Sequence, residues 1–183
     1  QLAKFKKPTL ISTGLSSVNT LDQLKDLWIK NGDVNLLSFL HCVASYPTPD
    51  NEANLASITM LKERYPNINI GYSDHTIGTN ASIYAAILGA SIIEKHFTLD
   101  KNFSDFQDHK ISADPKEMKA IVSGIKKTKQ LIGYKDKKIQ NCENQNQEAL
   151  RRSIAAKFNL TKNSVLLKEH ITWVRPGEGF PPG

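Results

Sequence analysis

Apolar positions along the chain alternate between two spacings. Residues 8–14, Pro-Thr-Leu-Ile-Ser-Thr-Gly, form a short apolar segment closed by small polar residues. The glycine permits a tight turn. Leu21, Leu24, Leu27 and Trp28 then recur at helical spacing, with Ser17, Asn19 or Thr20 as the N-cap and Asn31-Gly32 as the stop. Residues 35–44 are nearly continuously apolar, as in a strand buried on both faces. They lead into Ser45-Tyr46-Pro47-Thr48-Pro49, a loop held extended by its prolines. A second helix is predicted over 51–65, with Leu55, Ile58, Met60 and Leu61 roughly on one face and Pro66 ending it. Strand 68–72, exit loop 73–76, helix 79–90 and strand 91–97 follow. A long loop rich in Asp, Lys and His spans 98–112. Asp114 and Pro115 open the next helix as N-cap and N1, with a stripe of Met118, Ile121, Val122, Ile125 and Leu131.

The order is strand then helix, four times over, with polar loops after the strands. That order implies parallel strands with right-handed crossovers. Four units cannot close an eight-stranded barrel, which takes about 250 residues. The expectation is therefore half of a barrel from a longer chain, or an open sheet. After Gly133 the character changes. Residues 1–133 form the barrel-like unit, 134–149 a polar, lysine-rich linker, and 150–183 the beginning of a small β-rich domain. Strand candidates there lie at 150–156, 165–167 and 171–174.

Composition adds little to this and excludes some classes. The 183 residues are 39% hydrophobic and 23% charged, as in ordinary globular proteins. No apolar run reaches the ~18 residues of a membrane span, and residues 1–7 do not resemble a secretory signal, so a cytoplasmic protein is expected. The formal charge is +6. Lysines cluster only at 126–129 and 135–138, without interleaved aromatics, which fits a solvated helix face better than a nucleic-acid surface. A mild positive field also suits an anionic small substrate. Cys42 and Cys142 make neither a disulfide framework nor a metal motif.

Strand carboxyl ends carry the chemistry in parallel α/β folds. His75 and His96 sit at two such ends, twenty-one residues apart, about one strand–helix unit. Neutral imidazoles suit borderline divalent metals. The alternative is two histidines that only hydrogen-bond in polar loops. Asp74, Glu94, Asp105 and Asp108 are placed to supply carboxylate or outer-shell support. Lys95 opens a Schiff-base aldolase reading, set against the plainer role of charge partner to Glu94 or to a substrate anion. Ser12, Thr13, Ser73, Thr76 and the Gly14 amide could receive a phosphate or carboxylate. Tyr46 could orient a substrate hydroxyl or cover the core.

Five segments occur together in order: Lys7-Pro-Thr-Leu-Ile-Ser-Thr-Gly14, His41-Cys-Val-Ala-Ser-Tyr-Pro-Thr-Pro49, Gly71-Tyr-Ser-Asp-His-Thr76, Glu94-Lys-His-Phe-Thr-Leu-Asp100 and Val174-Arg-Pro-Gly177. In this combination the chain resembles the sialic acid synthase family, which includes N-acetylneuraminate, legionaminate and pseudaminate synthases and spore-coat polysaccharide enzymes. The resemblance spans essentially the whole chain. It implies the second half of a (β/α)8 barrel joined to the start of an antifreeze-like domain. It also implies condensation of phosphoenolpyruvate with an N-acetylated amino sugar, such as N-acetylmannosamine, to a nonulosonic acid plus phosphate. A divalent metal is implied, commonly manganese, with magnesium or cobalt as alternatives.

By position, His75 and His96 match the family's metal ligands, and Ser73 a phosphoenolpyruvate contact. Tyr46 and Asp108 match acceptor-sugar contacts. Arg175 matches an arginine that reaches the partner subunit's site, which implies a homodimer. The chain departs at Ala44, where the family often has Asn or Ser, so that contact is lost or moves to Ser45. It departs again at 103–109, where a Pro-Gly-Pro-Asp-His run is usual and only Asp108-His109 is kept. The family's lysine and glutamate active-site residues lie on strands outside this sequence. No catalytic residue is assigned here, and the isolated piece is expected to be inactive. No nucleic-acid or membrane partner is expected. A non-catalytic carbohydrate- or protein-binding module is the remaining alternative.

Overall fold

The computed structural model describes residues 1–175, 179 and 180. It divides into two compact units, Gln1–Gly133 and Tyr134–Gly183.

In the first unit four parallel strands, β1 (Thr9–Ser12), β2 (Leu37–Cys42), β3 (Asn69–Asp74) and β4 (Ile93–Lys95), lie in the order β1-β2-β3-β4. Helices α1 (Val18–Asn31), α2 (Ala56–Arg64) and α3 (Asn80–Ile87) cross between them, and α4 (Gln107–Ile111) and α5 (Pro115–Ile132) follow. The Ser17 side chain accepts from the Thr20 amide to cap α1. Asp114 and Glu117 form a reciprocal capping box on α5, with Pro115 in its first turn.

The outward side chains of the strands build the core against the helices. Leu37 and Phe39 of β2, Ile70 and Tyr72 of β3, Ile58 of α2 and Ala85 of α3 are buried together. The inward side chains face a concave surface. Ser12 of β1 donates a hydrogen bond of 3.2 Å to Glu94 of β4. Three strand spacings in a flat sheet would hold these strands about 14 Å apart, so the sheet curls strongly. Gly71 sits at the centre of the curve. A Cβ there would collide with the Leu40 side chain and lie 2.7 Å from the Ile92 carbonyl oxygen. Only glycine lets Leu40 and Ile92 fill the inner layer.

Some elements differ from the pattern-based expectation. The helix expected from residue 51 starts at Ala56, because Asn54 takes a left-handed φ of 45° that breaks the run. The loop 98–112 contains α4, five residues long and too short to show a period. In the second unit, the stretch read as a linker folds into a 3-10 turn, Asn141–Glu143, and a helix α6 (Asn144–Leu150). Strands β5 (Ser153–Ala156) and β6 (Ile171–Val174) pair antiparallel. Residues 165–167 are not a strand: a turn at 162–163 precedes them and no neighbouring strand is offered. Among the described residues no helix is long and apolar enough to cross a membrane.

Candidate functional site

The carboxyl ends of β2, β3 and β4 converge. The imidazole rings of His75 and His96 lie 5.5 Å apart, centre to centre. The Tyr46 ring stands 4.1 Å from His75 and 6.1 Å from His96. A cleft at this edge is lined by Ser73, Asp74, His75, Glu94, Lys95 and His96.

His75 is locked on several sides. Its Nδ1–H donates to the Val43 carbonyl at 2.9 Å, and its own carbonyl accepts from the Thr48 amide at 3.0 Å. The bond to Val43 assigns the proton to Nδ1 and leaves the Nε2 lone pair free, as in metal-ligating histidines held by a backbone carbonyl. His96 follows β4 and is half-buried, with its carbonyl held by the Ala113 amide at 2.7 Å. Its Nδ1 is 3.8 Å from the Asp108 carboxylate, which α4 presents.

Glu94 points into the concavity. One carboxylate oxygen, Oε1, accepts from Ser73 at 2.6 Å and from Ser12 at 3.2 Å. Ser12 and Ser73 are therefore placed together on one carboxylate oxygen. Cys42 is next to them, its Sγ 3.9 Å from His75 Nδ1, and burial pushes its thiol pKa up. Burial also raises the Tyr46 phenol, aided by Cys42 and Asp108.

Not every residue singled out from sequence meets this cluster. Ser45 turns its hydroxyl to the Pro47 carbonyl at 3.0 Å. Asp105 is exposed and contacts none of the site residues among the described hydrogen bonds and ion pairs. Arg175 follows β6 in the second unit and is exposed, and Pro176 and Gly177 of its motif lie outside the described residues.

Lys95 is not where the aldolase or Glu94-partner readings need it. Successive strand residues face opposite sides, so Glu94 points inward and Lys95 outward. The Lys95 ammonium is 3.0 Å from Asp74, with side-chain exposures of 1% and 0%. It also donates to the Thr76 carbonyl at 2.8 Å. A fully paired and enclosed ammonium has no route to a keto substrate, which removes the Schiff-base reading. The ion pair itself was missed from sequence. The signal was the period-2 alternation of Asp74-His75 and Lys95-His96, which puts one charge behind each histidine.

His41 is outward as well. Its Nε2–H donates to the Ala53 carbonyl at 2.9 Å, and its ring stacks on Tyr72 at 5.8 Å. Burial lowers its pKa. It belongs to the core.

A curled parallel sheet with paired imidazoles at its carboxyl edge defines an α/β unit of the partial-barrel kind. The chain belongs to the NeuB family, whose model matches residues 1–137. It is 37% identical over 181 residues to the N,N'-diacetyllegionaminic acid synthase of Campylobacter jejuni, covering 98% of this chain and 54% of that protein. It is 34% identical over 182 residues to the human N-acetylneuraminate-9-phosphate synthase, covering 98% and 50% respectively. Among solved structures, an N-acetylneuraminic acid synthetase from Leptospira borgpetersenii superposes with a TM-score of 0.68 at 33% identity, over 75% of this chain and 47% of that one. A putative spore coat polysaccharide biosynthesis protein E from Chromobacterium violaceum gives 0.74 at 26% identity, over 100% and 52%. The chain spans about half the length of the curated relatives it matches.

Proposed function

We propose that the full-length protein condenses phosphoenolpyruvate with an N-acetylated amino sugar, giving a nonulosonic acid and phosphate. The observation that carries this is the imidazole pair in a NeuB-family chain, His75 held by Val43 with its Nε2 free and His96 with its ring 5.5 Å away. Relatives named as sialic-type acid synthases support the reaction class. On this reading residues 1–133 are the second half of a (β/α)8 barrel. Residues 150–183 begin an antifreeze-like domain, from which Arg175 serves the site of a second subunit.

The donor set fits a divalent cation such as manganese. Two neutral imidazoles supply borderline nitrogen ligands. Among the described residues no third His, Cys, Asp or Glu joins them, and His75 and His96 would be the residues that hold the ion. When bound, such a cation polarises the acceptor's aldehyde oxygen. The chain's own groups do the rest. Tyr46 and Asp108 flank the histidines and orient the sugar hydroxyls. Ser12 and Ser73, poised on Glu94, turn toward the phosphate or carboxylate oxygens of phosphoenolpyruvate. The enol carbon then attacks the aldehyde carbon, water adds at C2, and phosphate departs. Holding two substrates and a water in line is a large part of the acceleration.

The test is His75→Ala in the full-length protein, assayed with phosphoenolpyruvate and N-acetylmannosamine or a related acceptor. Metal-dependent product formation is expected to disappear. Undiminished turnover would overturn the assignment.

A further inference from the structure

We infer that the buried Lys95–Asp74 ion pair is a positioning device that sets the separation of His75 and His96 for a divalent cation. This rests on the metal reading above and goes beyond it, since the two residues border the cleft with their charged groups spent on each other rather than offered to a ligand. Asp74 directly precedes His75, Lys95 directly precedes His96, and the two are register partners across β3 and β4. Their side chains meet at 3.0 Å on the outer face, essentially without solvent exposure.

The pair clamps the histidine-bearing loop from both sides. Lys95 Nζ reaches Asp74 before His75 and the Thr76 carbonyl after it, at 2.8 Å. Asp74 Oδ1 accepts from the Thr76 amide and hydroxyl, each at 2.8 Å. Its Oδ2 also accepts from Ser82 of α3 at 2.5 Å. One network thus ties the end of β4, the turn around His75 and the first helical turn that follows.

Such a tie has work to do at β4. That strand is three residues long, and the register pairs it only with β3 among the named strands. Among the described residues the His96 side chain makes no hydrogen bond, and its polar neighbour is the Asp108 carboxylate at 3.8 Å. An apolar pair of the same volume would often stabilise a protein as well as buried ions do, but it could not grip a backbone carbonyl on the far side of His75. What the charges add is direction.

The experiment uses the full-length protein and manganous ion alone as the probe, following free and bound ion by electron paramagnetic resonance. The double variant Asp74→Asn/Lys95→Met removes both charges without stranding either. It is expected to remain folded by circular dichroism, to bind manganese about tenfold more weakly or worse, and to alter the line shape of the bound ion. Ile121→Ala, a core truncation in α5, serves as the stability control and is expected to bind as wild type does. Ser82→Ala loosens Asp74 alone and gives a graded, smaller loss, readable even if the double variant fails to fold. Wild-type affinity in the double variant, or in Ser82→Ala should the double variant not fold, overturns the inference while leaving the metal reading intact. So does an equal loss in Ile121→Ala. Absence of manganese binding in the wild type overturns the metal reading and the inference with it.

Discussion

The two faces of β3 and β4 each carry a carboxylate, and the fold treats them oppositely. Asp74, on the outer face, is enclosed by four donors: the Thr76 amide and hydroxyl, the Ser82 hydroxyl and the Lys95 ammonium. Glu94, one position back in the register, is exposed to the concavity. It accepts two hydroxyls on one oxygen, and no bond reaches its other oxygen among the described residues. The same opposition separates two histidines. His41 on the outer face spends its Nε2–H on Ala53, whereas His75 spends Nδ1–H on Val43 and keeps Nε2 open. A polar group with every partner supplied is there to hold structure. One with capacity left over, facing a cleft, is available to a ligand.

Breaking the outer face should cost the most stability. Asp74→Ala strands the Lys95 ammonium in the interior and orphans the Ser82 and Thr76 donors. A loss of about 3–5 kcal/mol is expected, read from urea denaturation. The Asp74→Asn/Lys95→Met pair should recover much of that, because no lone charge remains. A single variant no less stable than the double one would mean the ammonium reaches solvent and the comparison of faces is wrong.

Next in size is the inner layer. Gly71→Ala places a methyl against the Leu40 side chain and the Ile92 carbonyl, the latter at 2.7 Å. A carbonyl in a paired backbone cannot swing aside, so about 1–3 kcal/mol of overpacking cost is expected. A stability equal to wild type would show that the curl opens without penalty.

Glu94→Gln should separate stability from function. The amide keeps an oxygen for Ser12 and Ser73, and the side chain is already exposed, so the stability change should stay within about 0.5 kcal/mol. Turnover of the full-length protein should fall about 10–100-fold, since the poised hydroxyls lose their charged acceptor. Unchanged turnover with unchanged stability would return Glu94 to the status of a solvated surface group.

Much of this opposition was legible in sequence, though not its decisive part. The apolar run of 35–44 and the fourfold strand–helix order announced parallel strands with covering helices. The spacing of His75 and His96 announced a shared edge. What one chain segment cannot show is which residues stand opposite. Pairing Lys95 with Glu94 was natural from adjacency, yet adjacent strand residues point apart. Only the β3–β4 register puts Asp74 beside Lys95. The meeting of Ser12 with Glu94 depends on sheet curl, a property of all four strands together. The short helix α4, which carries Asp108 to His96, is held by the Ser112 hydroxyl on the Asp108 carbonyl at its own end and by Thr98 against His109 from across the loop, contacts that a five-residue pattern does not display.

The smallest expected effect is a pH dependence that belongs to the outer face alone. Burial lowers the His41 pKa from its ordinary value of 6.5, opposed only in part by the bond to Ala53. The unfolded chain therefore takes up a proton on this imidazole at a pH where the folded chain still refuses it. Stability rises with pH wherever the unfolded state binds more protons. The contribution of neutral His41 is thus fully present above 6.5 and is lost as pH falls from there toward the lower folded value. His41→Gln keeps an amide donor for the Ala53 carbonyl and cannot titrate. The difference in thermal midpoint between wild type and His41→Gln should shrink or reverse as pH drops through about 6.5, measured at about one-unit steps on either side. A gap that stays constant with pH would place His41 in water, and the outer face would then not be the closed surface its hydrogen bonds describe.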